Sequence, residues 1–434
     1  MRIIIHRGTH TIGGSCIEVA SGGNRLILDL GLPLMGRDGT ELDEKSVKNK
    51  SRENGILPNV AGLYHGEEAC VDAVLLSHAH IDHHGLLDHV HPNIPIYMSQ
   101  GSNKLIEIGN IFYPEKTNIS NIQHFEHWKP FMVGPFTITS YLMDHSAFDA
   151  SAFLIECGGK KVFYTGDLRA HGRKAKVFEN LVQHPINNLN CLIMEGTTLG
   201  GNHKGCENEQ EVEEQFEQVF RQQKDISFVF ASGSNIDRLV SLYKATMPMR
   251  SNKTLVIDLY TAYVLDELKK LRSSLPIHEN DNIRVYYMQG HAKKLADNNL
   301  VEVLYKFKSR KIELDEIVED RVNMVAKLPI RNGMERIASM AINKSLLQDS
   351  QLIYSMWAGY LEKKSDVKEF CSKYSIEMKH IHTSGHACLD DLQRLVHALN
   401  PTVLIPVHTL AGDSFHHHFP NVIRLDDGIA YELA

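Results

Sequence analysis

The stretch SHAHIDHHG, residues 77–85, concentrates side chains of the kind that bind metal ions. It contains His78, His80, Asp82 and His83 in an HxHxDH spacing, and Gly85 closes the turn. Imidazole nitrogens and carboxylate oxygens suit zinc and related divalent cations. The apolar run DAVLL before it is typical of a buried strand, whose end can hold ligands in fixed directions. The spacing therefore predicts a divalent-metal site.

Four side chains cannot complete the coordination shells of two metal ions, so other ligands must come from distant parts of the chain. Three candidates each follow an apolar strand: His145 in MDHSAF, Asp167 in YTGDLRAHG and His408 in LIPVHT. Because they share this context with the first turn, we expect them to lie at the same metal centre.

The elements that must position these ligands are, at first, short strands. Up to about Leu199, runs rich in β-branched and aromatic residues are bounded by Gly, Asn or Asp, which predicts strands. These runs are RIII, CIEVA, RLILDLG, DAVLLSH, FTITSYLM, SAFLIEC, KVFYTGD and CLIMEG. Several are almost entirely apolar, as expected for strands that are buried on both faces.

The pattern changes near Cys206, where CENEQEVEEQFEQVFRQQK predicts an acidic amphipathic helix. Strands then alternate with helices to about residue 350, which predicts a parallel sheet built from βαβ units. A helix in HTSGHACLDDLQRLVHALNP and a strand in TVLIPVHT follow. We therefore predict a first domain, residues 1–205, an inserted domain, residues 206–375, and completion of the first domain by residues 376–434.

Composition excludes several classes of protein. Seven scattered cysteines without a CxxC pair argue against a disulfide framework or a cysteine zinc site. The apolar start in MRIIIHRG is too short for the core of a signal peptide, and no apolar run is long enough to span a membrane. We expect a cytoplasmic protein with no membrane partner. The net charge of −7 is unusual for a nucleic-acid binder, although bound divalent cations add local positive charge.

The combined motifs resemble a known family across essentially the whole chain. HxHxDH followed by a distal His, Asp and His resembles the metallo-β-lactamase superfamily, and LDLG with Asp29 matches its early strand. The long insertion between YTGD and IPVH resembles the β-CASP branch of nucleic-acid-processing nucleases, and the pattern is most similar to short ribonuclease J-like proteins. The resemblance implies an α/β fold: an αββα metallo-β-lactamase sandwich interrupted by an inserted parallel-sheet β-CASP domain.

The resemblance also implies how the ligands are shared between two zinc ions, with manganese as the alternative metal. One metal would take His78, His80 and His145, and the second would take Asp82, His83 and His408. Asp167 would bridge them. Two metals roughly 3.5 to 4 Å apart lower the pKa of a bridging water and hold the phosphoryl and leaving oxygens of a phosphodiester. Asp82 and Asp167 would orient that water as catalytic carboxylates.

Further residues are implied by their match to the family motifs. His386 in IHTSGHA would contact the scissile phosphate, stabilising the transition state or protonating the leaving oxygen. Glu195 in LIMEGTT would hold that histidine in place. Five residues are candidates for binding the substrate, because turn N–H groups and hydroxyls form anion sites: Ser232, Ser234, Asn235, Ser384 and Gly385. An ordinary helix cap remains the alternative explanation of the serine turn.

These features predict a two-metal ribonuclease that hydrolyses phosphodiester bonds in single-stranded RNA, as a 5′ to 3′ exonuclease, an endonuclease, or both. The usual PVHGE of the family reads PVHTLAGD here, so the preference between these modes is left open. Two alternatives also stay open, a DNA-directed β-CASP nuclease and an inactive metal-binding subunit that serves as an RNA scaffold. A homodimer is an assembly state that the sequence allows.

Overall fold

The computed structural model describes residues 1–35, 49–201, 207–271, 274–276, 279–280, 282–342, 347–363 and 365–434. The chain divides into two compact units. The first comprises Met1–Ile106, Glu115–His203 and Gly385–Ala434, and the second comprises Glu107–Pro114 and Lys204–Ser384. The predicted boundary at 205/206, with Cys206, lies outside the described residues.

The first unit begins with the strands that the sequence predicts. They are Arg2–Arg7 (β1), Cys16–Ser21 (β2), Asn24–Leu28 (β3), Ala73–Leu75 (β4), Ile96–Met98 (β5), Ile122–His124 (β6), Pro130–Val133 (β7), Phe136–Leu142 (β8), Ser151–Cys157 (β9), Lys160–Tyr164 (β10) and Cys191–Glu195 (β11). The helices of this part are Ile81–His84 (α1), Gln100–Phe112 (α2) and Ala175–Gln183 (α3), and Leu87–His89 forms a 3-10 turn.

The second unit alternates strands and helices. Its strands are Ser227–Phe230 (β12), Thr254–Asp258 (β13), Ile283–Tyr286 (β14), Lys311–Ile312 (β15), Met324–Lys327 (β16), Gln351–Tyr354 (β17) and Glu377–His380 (β18). Its helices are Glu209–Gln222 (α4), Ile236–Thr246 (α5), Leu259–Leu271 (α6), Gln289–Asp297 (α7), Val301–Lys306 (α8), Leu314–Glu319 (α9), Glu335–Ile342 (α10), Gly359–Lys363 (α11) and Ser365–Tyr374 (α12). Short 3-10 turns cover Lys308–Arg310 and Arg321–Asn323, and a π turn covers Ile330–Met334.

The strands of the second unit form one sheet in the order β15-β14-β13-β16-β12-β17-β18. Each described pair in it is parallel, because every strand returns through a helical crossover. The inserted parallel sheet is thus confirmed.

The last segment returns to the first unit as Leu389–Leu399 (α13), Val403–Val407 (β19), a 3-10 turn at Gly412–His417, and Ala430–Glu432 (β20). It completes two sheets, with the orders β20-β1-β2-β3-β4-β5-β6 and β19-β11-β10-β9-β8-β7. β20 pairs with β1 and β19 pairs with β11. Each sheet of the first unit therefore takes its edge strand from the far end of the chain.

The two sheets of the first unit pack face to face around one apolar core. Ile5 and Ile17 from one sheet and Phe153 and Ile193 from the other are all fully buried in it. The outer face of the second sheet packs against α3 and α13, and the outer face of the first sheet packs against the segment around Ile56–Tyr64, the 3-10 turn at Leu87–His89 and α2. This layering is the predicted αββα sandwich, and it brings the carboxyl ends of strands from both sheets to one edge.

The division of the chain differs from the predicted domains in two places. The first unit resumes at Gly385 rather than at 376, because β18 pairs with β17 and so completes the second sheet. The segment Glu107–Pro114 groups with the second unit, where the rings of Phe112 and Tyr260 pack 5.3 Å apart. None of the described helices has the length and apolar character needed to cross a bilayer.

Candidate metal centre

The HxHxDH turn sits at the end of β4. His78 comes three residues after the strand ends, and α1 carries Asp82 and His83 on one short helical turn. The backbone of Gly31, from the LDLG motif, lies against this turn, so that a Cβ at position 31 would come 1.6 Å from Asp82 O. Only glycine permits this approach, and it fixes where the turn lies.

The first predicted ligand set converges in the structure. His78 Nε2 and His145 Nε2 lie 3.0 and 3.2 Å from His80 Nδ1. Asp167 Oδ2 lies 3.6 Å from His78 Nε2 and 4.0 Å from His145 Nε2. Donor atoms of all four residues lie within 4.8 Å of one another. Three imidazoles and a carboxylate at this separation match the donor set of a divalent cation.

The second set converges beside the first. His408 Nε2 lies 3.3 Å from Asp82 Oδ2, and His83 Nε2 lies 3.8 Å from the same oxygen. Asp167 Oδ2 is only 3.2 Å from His83 Nε2, so it faces donors of both sets. One carboxylate oxygen that is common to two donor clusters is the arrangement that a bridging ligand requires.

Four of the five imidazoles are held through the ring nitrogen that points away from the centre. The partners are Ser77 Oγ for His78 (3.0 Å), Asp29 Oδ2 for His83 (2.8 Å), Gly385 O for His145 (2.6 Å) and Thr197 Oγ1 for His408 (2.8 Å). Such contacts fix the tautomer and the ring orientation of a metal ligand.

The protonation of the cluster also suits a metal. Burial, followed by the repulsion of neighbouring histidines, lowers the pKa of His78 and His145 well below the ordinary value. Burial likewise lowers the pKa of His80 to about 4. Burial opposes ionisation of Asp167, but His408 and His83 outweigh it and lower the pKa of that carboxyl. Neutral imidazoles and ionised carboxylates are the forms that coordinate cations.

His83 shows where positive charge is stabilised. Burial disfavours its imidazolium, but three carboxylates, Asp167 first, outweigh burial and raise its pKa well above the ordinary value. His83 Nε2 makes no hydrogen bond although it lies 3.2 Å from Asp167 Oδ2, and buried Asp167 Oδ1 makes none either. Buried polar atoms of this kind need an explanation, and cations bound by both donor sets would supply it.

Comparisons with known proteins agree with this geometry. A family model described as "Beta-lactamase superfamily domain" matches residues 63–205, which carry the HxHxDH turn, His145 and Asp167. A second, described as "Zn-dependent metallo-hydrolase RNA specificity domain", matches residues 373–417, which carry His386 and His408.

Residues 63–205 are thus similar to the β-lactamase superfamily domain, and residues 373–417 are similar to a metallo-hydrolase domain.

Several known proteins are similar to this chain over most of its length. It is 21% identical to "Ribonuclease J" of Sinorhizobium meliloti over 87% of this chain and 66% of the relative. It is 21% identical to "Probable RNase MJ4" of Methanocaldococcus jannaschii over 94% of this chain and 93% of that one. A solved Enterococcus faecalis protein of unknown function matches over 99% of both chains, with a TM-score of 0.78 and 21% identity. The predicted resemblance to β-CASP, ribonuclease J-like proteins is confirmed.

His386 and Glu195 form a pair at the rim of the metal centre. His386 Nδ1 lies 3.0 Å from Glu195 Oε2 and 3.8 Å from Asp167 Oδ2. Burial disfavours the imidazolium, but Glu195 and then Asp167 outweigh it and raise the pKa of His386 to about 9. The ring of His386 stands 5.3 Å from that of His145 and 5.8 Å from that of His408. Glu195 thus contacts His386, as the resemblance of the two sequence motifs implies.

His408 takes an unusual backbone conformation for a metal ligand. Its φ of 51° lies in the left-handed region, which costs a non-glycine residue free energy. Its N–H donates to Gly8 O at 2.7 Å, which anchors the residue after β19 ends. Backbone strain of this kind persists where the surrounding structure enforces it, and it is concentrated at functional sites.

The predicted substrate-binding residues are distributed differently. Ser232 Oγ and Ser234 Oγ hydrogen-bond each other at 2.8 Å within the second unit. Asn235 Oδ1 accepts from Arg238 N and caps α5, which is the alternative role considered for this turn. Ser384 is the last residue of the second unit. Gly385 belongs to the first unit, where its carbonyl holds the ring of His145.

The prediction of site residues missed the side chains that support the ligands. Asp29 is fully buried and accepts from Ser77 Oγ and Tyr164 OH, both at 2.7 Å, in addition to contacting His83. The LDLG motif was the available signal for Asp29. Thr197, two residues after Glu195, had no signal, because a threonine in a loop carries no distinctive spacing.

Proposed function

We propose that this protein is a two-metal ribonuclease that hydrolyses phosphodiester bonds in single-stranded RNA. Asp167 Oδ2 carries the proposal, because it lies 3.6 Å from a donor of the first set and 3.2 Å from a donor of the second. The match of residues 373–417 to the RNA specificity domain and the two ribonuclease relatives support RNA as the substrate.

The donor atoms support two zinc ions, with manganese as the alternative. His78, His80 and His145 would hold one cation, the second would be held by Asp82, His83 and His408, and Asp167 would serve both. When bound, the cations would supply Lewis-acid activation of the phosphoryl group and of the attacking water. Imidazole and carboxylate donors without thiolate are compatible with either metal.

The chain's own groups would then act on the substrate. Asp82 and Asp167 accept hydrogen bonds and can orient the attacking water. His386 has its Nδ1 engaged by Glu195, so Nε2 is the nitrogen that would donate to a phosphoryl oxygen or to the departing oxygen. A glutamate that holds this ring would keep it cationic even against the positive charge of bound metals.

Cleavage of labelled single-stranded RNA tests the proposal. Protein stripped of metal should be inactive, and zinc or manganese should restore cleavage. Asp82→Ala should abolish it, whereas His416→Ala, which removes an exposed histidine outside the metal centre, should not. Cleavage that is indifferent to chelators, or unchanged in Asp82→Ala, would contradict the proposal.

We also propose the type of substrate, the mode of cleavage, the assembly state and the location of the protein, and each has its own measurement. Competition between RNA and DNA oligonucleotides of one sequence separates the ribonuclease from a DNA-directed enzyme, and a complete ligand set without cleavage would indicate a scaffold. Slower digestion of 5′-triphosphate than of 5′-monophosphate RNA would support 5′ to 3′ exonuclease action, and indifference would support internal cutting. Light scattering tests the homodimer, and fractionation of cells tests the cytoplasmic location.

A further inference from the structure

A cavity of about 290 Å³ lies in the first unit between β8 and α3. Its lining includes Trp128, Tyr141, Lys176, Asn180 and His184. The volume is close to the lower end of the roughly 300–1,000 Å³ of small-molecule sites. It therefore fits a single planar ring system. The lining offers aromatic rings to stack on that system, polar groups for its edge and a cation beside it.

Trp128 is held at this cavity in an unfavourable backbone conformation. It is the third residue of a turn in which Lys129 N donates to Glu126 O at 3.3 Å, and its φ is 62°. A positive φ at that position of a turn favours glycine or asparagine. The indole is also 52% exposed, so burial does not account for it. The strained backbone and the exposed ring together make Trp128 a candidate for a functional contact.

Basic side chains connect this cavity with the metal centre. Lys174 Nζ donates to the carbonyl of His145 at 3.0 Å. Two residues further on, at most about 7 Å along the backbone, exposed Lys176 lines the cavity. Among the described residues, Lys176 has no hydrogen-bond or ion-pair partner. The path from metal ligand to cavity thus offers positive charge to an anionic chain.

We propose that this cavity binds one nucleotide of the single-stranded RNA, with its base stacked on Trp128 and its phosphate beside Lys176. The inference rests on the proposed function and assigns it a base-binding subsite. Aromatic side chains stack on every base, and lysines neutralise the phosphates between bases. Asn180 and His184 face the edge of the base. Stacking on Trp128 would accept any base.

Tryptophan fluorescence measures this contact directly, because the chain has only two tryptophans. In Trp357→Phe, Trp128 is the sole tryptophan, and a phosphorothioate decauridylate, which resists hydrolysis, is added to the metal-loaded protein. Saturable quenching is expected, weaker at high salt and in a Lys176→Ala background. Duplex RNA of the same length should not quench, because its bases are already stacked. No quenching by the single strand overturns the proposal.

Kinetics separate this role from a structural one. In the wild type, KM should fall as oligouridylates are lengthened. Trp128→Gly should abolish that fall and raise KM for the longest substrate about ten-fold, with kcat unchanged. Because glycine relaxes the turn, the thermal unfolding midpoint should stay the same or rise. Trp128→Phe keeps a stacking ring and should retain the wild-type KM.

The outcomes distinguish the subsite from the nuclease function. RNA that quenches Trp128 but is not hydrolysed would leave the subsite standing and overturn the proposed activity. RNA that is hydrolysed with a KM independent of Trp128 and Lys176 would leave the activity standing and overturn the subsite. If Trp128→Gly fails to fold, the fluorescence titration and the KM of Lys176→Ala still decide.

Discussion

One carboxylate, that of Glu195, joins the ring of His386 to the loop that carries Asp167. Its Oε2 lies 3.0 Å from His386 Nδ1, and its Oε1 accepts from Leu168 N at 2.8 Å. The residue that holds the ring of His386 therefore also holds the backbone next to Asp167.

Glu195→Gln should separate the contact with His386 from the contact with Leu168 N. The glutamine keeps an oxygen for Leu168 N but cannot stabilise a cationic His386, so kcat should fall about 100-fold. Metal content, measured by elemental analysis, should be unchanged because the loop stays in place. Glu179→Gln, which alters an exposed carboxylate paired with Arg394, is the matched control. Loss of metal together with activity would show that the loop contact dominates.

Asp29→Asn should weaken metal binding about 10- to 100-fold, because the amide cannot accept from every donor that the carboxylate serves. Asparagine tolerates the positive φ of 58° at this position, so the backbone should be preserved. Competition with a chromogenic chelator measures the affinity. Tyr164→Phe removes a single donor to Asp29 and should have a smaller effect. Equal affinities for the wild type and Asp29→Asn would show that His83 is oriented by other contacts.

Gly31→Ala should disrupt the HxHxDH turn. The added methyl would meet Asp82 O at 1.6 Å, so the backbone that carries two ligands must move. We expect loss of bound metal and of cleavage, read by elemental analysis and the RNA assay. Gly290→Ala, at the start of α7 with open space around the new methyl, should leave both unchanged. A Gly31→Ala protein with full metal content would refute the close approach.

Glu18 should make stability depend on acid pH. Burial disfavours its carboxylate, but hydrogen bonds with His6 and Arg25 outweigh burial and lower the pKa from 4.5 to about 2. A depressed pKa stabilises the folded state above pH 4.5, and this contribution is lost as the pH falls towards 2.

Urea unfolding of metal-free protein across this range measures the effect, and Glu18→Gln supplies the reference. The wild type should lose on the order of 3 kcal/mol more than Glu18→Gln as the pH falls. Parallel pH curves for the two proteins would show that Glu18 is equally ionised in the folded and unfolded states.

The convergence of the side chains at the candidate metal centre could be predicted because each segment that carries them follows an apolar strand. The carboxyl ends of such strands share an edge of a sandwich, so strand assignment and residue type together place His145, Asp167 and His408. The support of these ligands could not be predicted in the same way. Thr197 and the carbonyl of Gly385 act through positions that only tertiary packing creates.

The boundaries between the two units were harder to predict from the sequence, for a related reason. α2 is one continuous helix, yet the division of the chain falls within it. No change in composition marks that point. β18, with a largely exposed EMKH pattern, gives little hydrophobic signal as a strand and is recognised only by its register with β17. Sequence patterns report local burial, whereas these boundaries depend on pairing between distant segments.

The return of the chain to the first unit has a consequence for its synthesis. β19 and β20 are made after the other described strands, yet each is the edge strand of a sheet that began hundreds of residues earlier. On a ribosome the continuous stretch 204–384 can therefore fold while the earlier strands still await their partners. The second donor set, which includes His408, is complete only after His408 leaves the exit tunnel. Ribosome-bound chains stalled shortly before that point should hold less zinc than released chains, and an equal zinc content would refute this order of events.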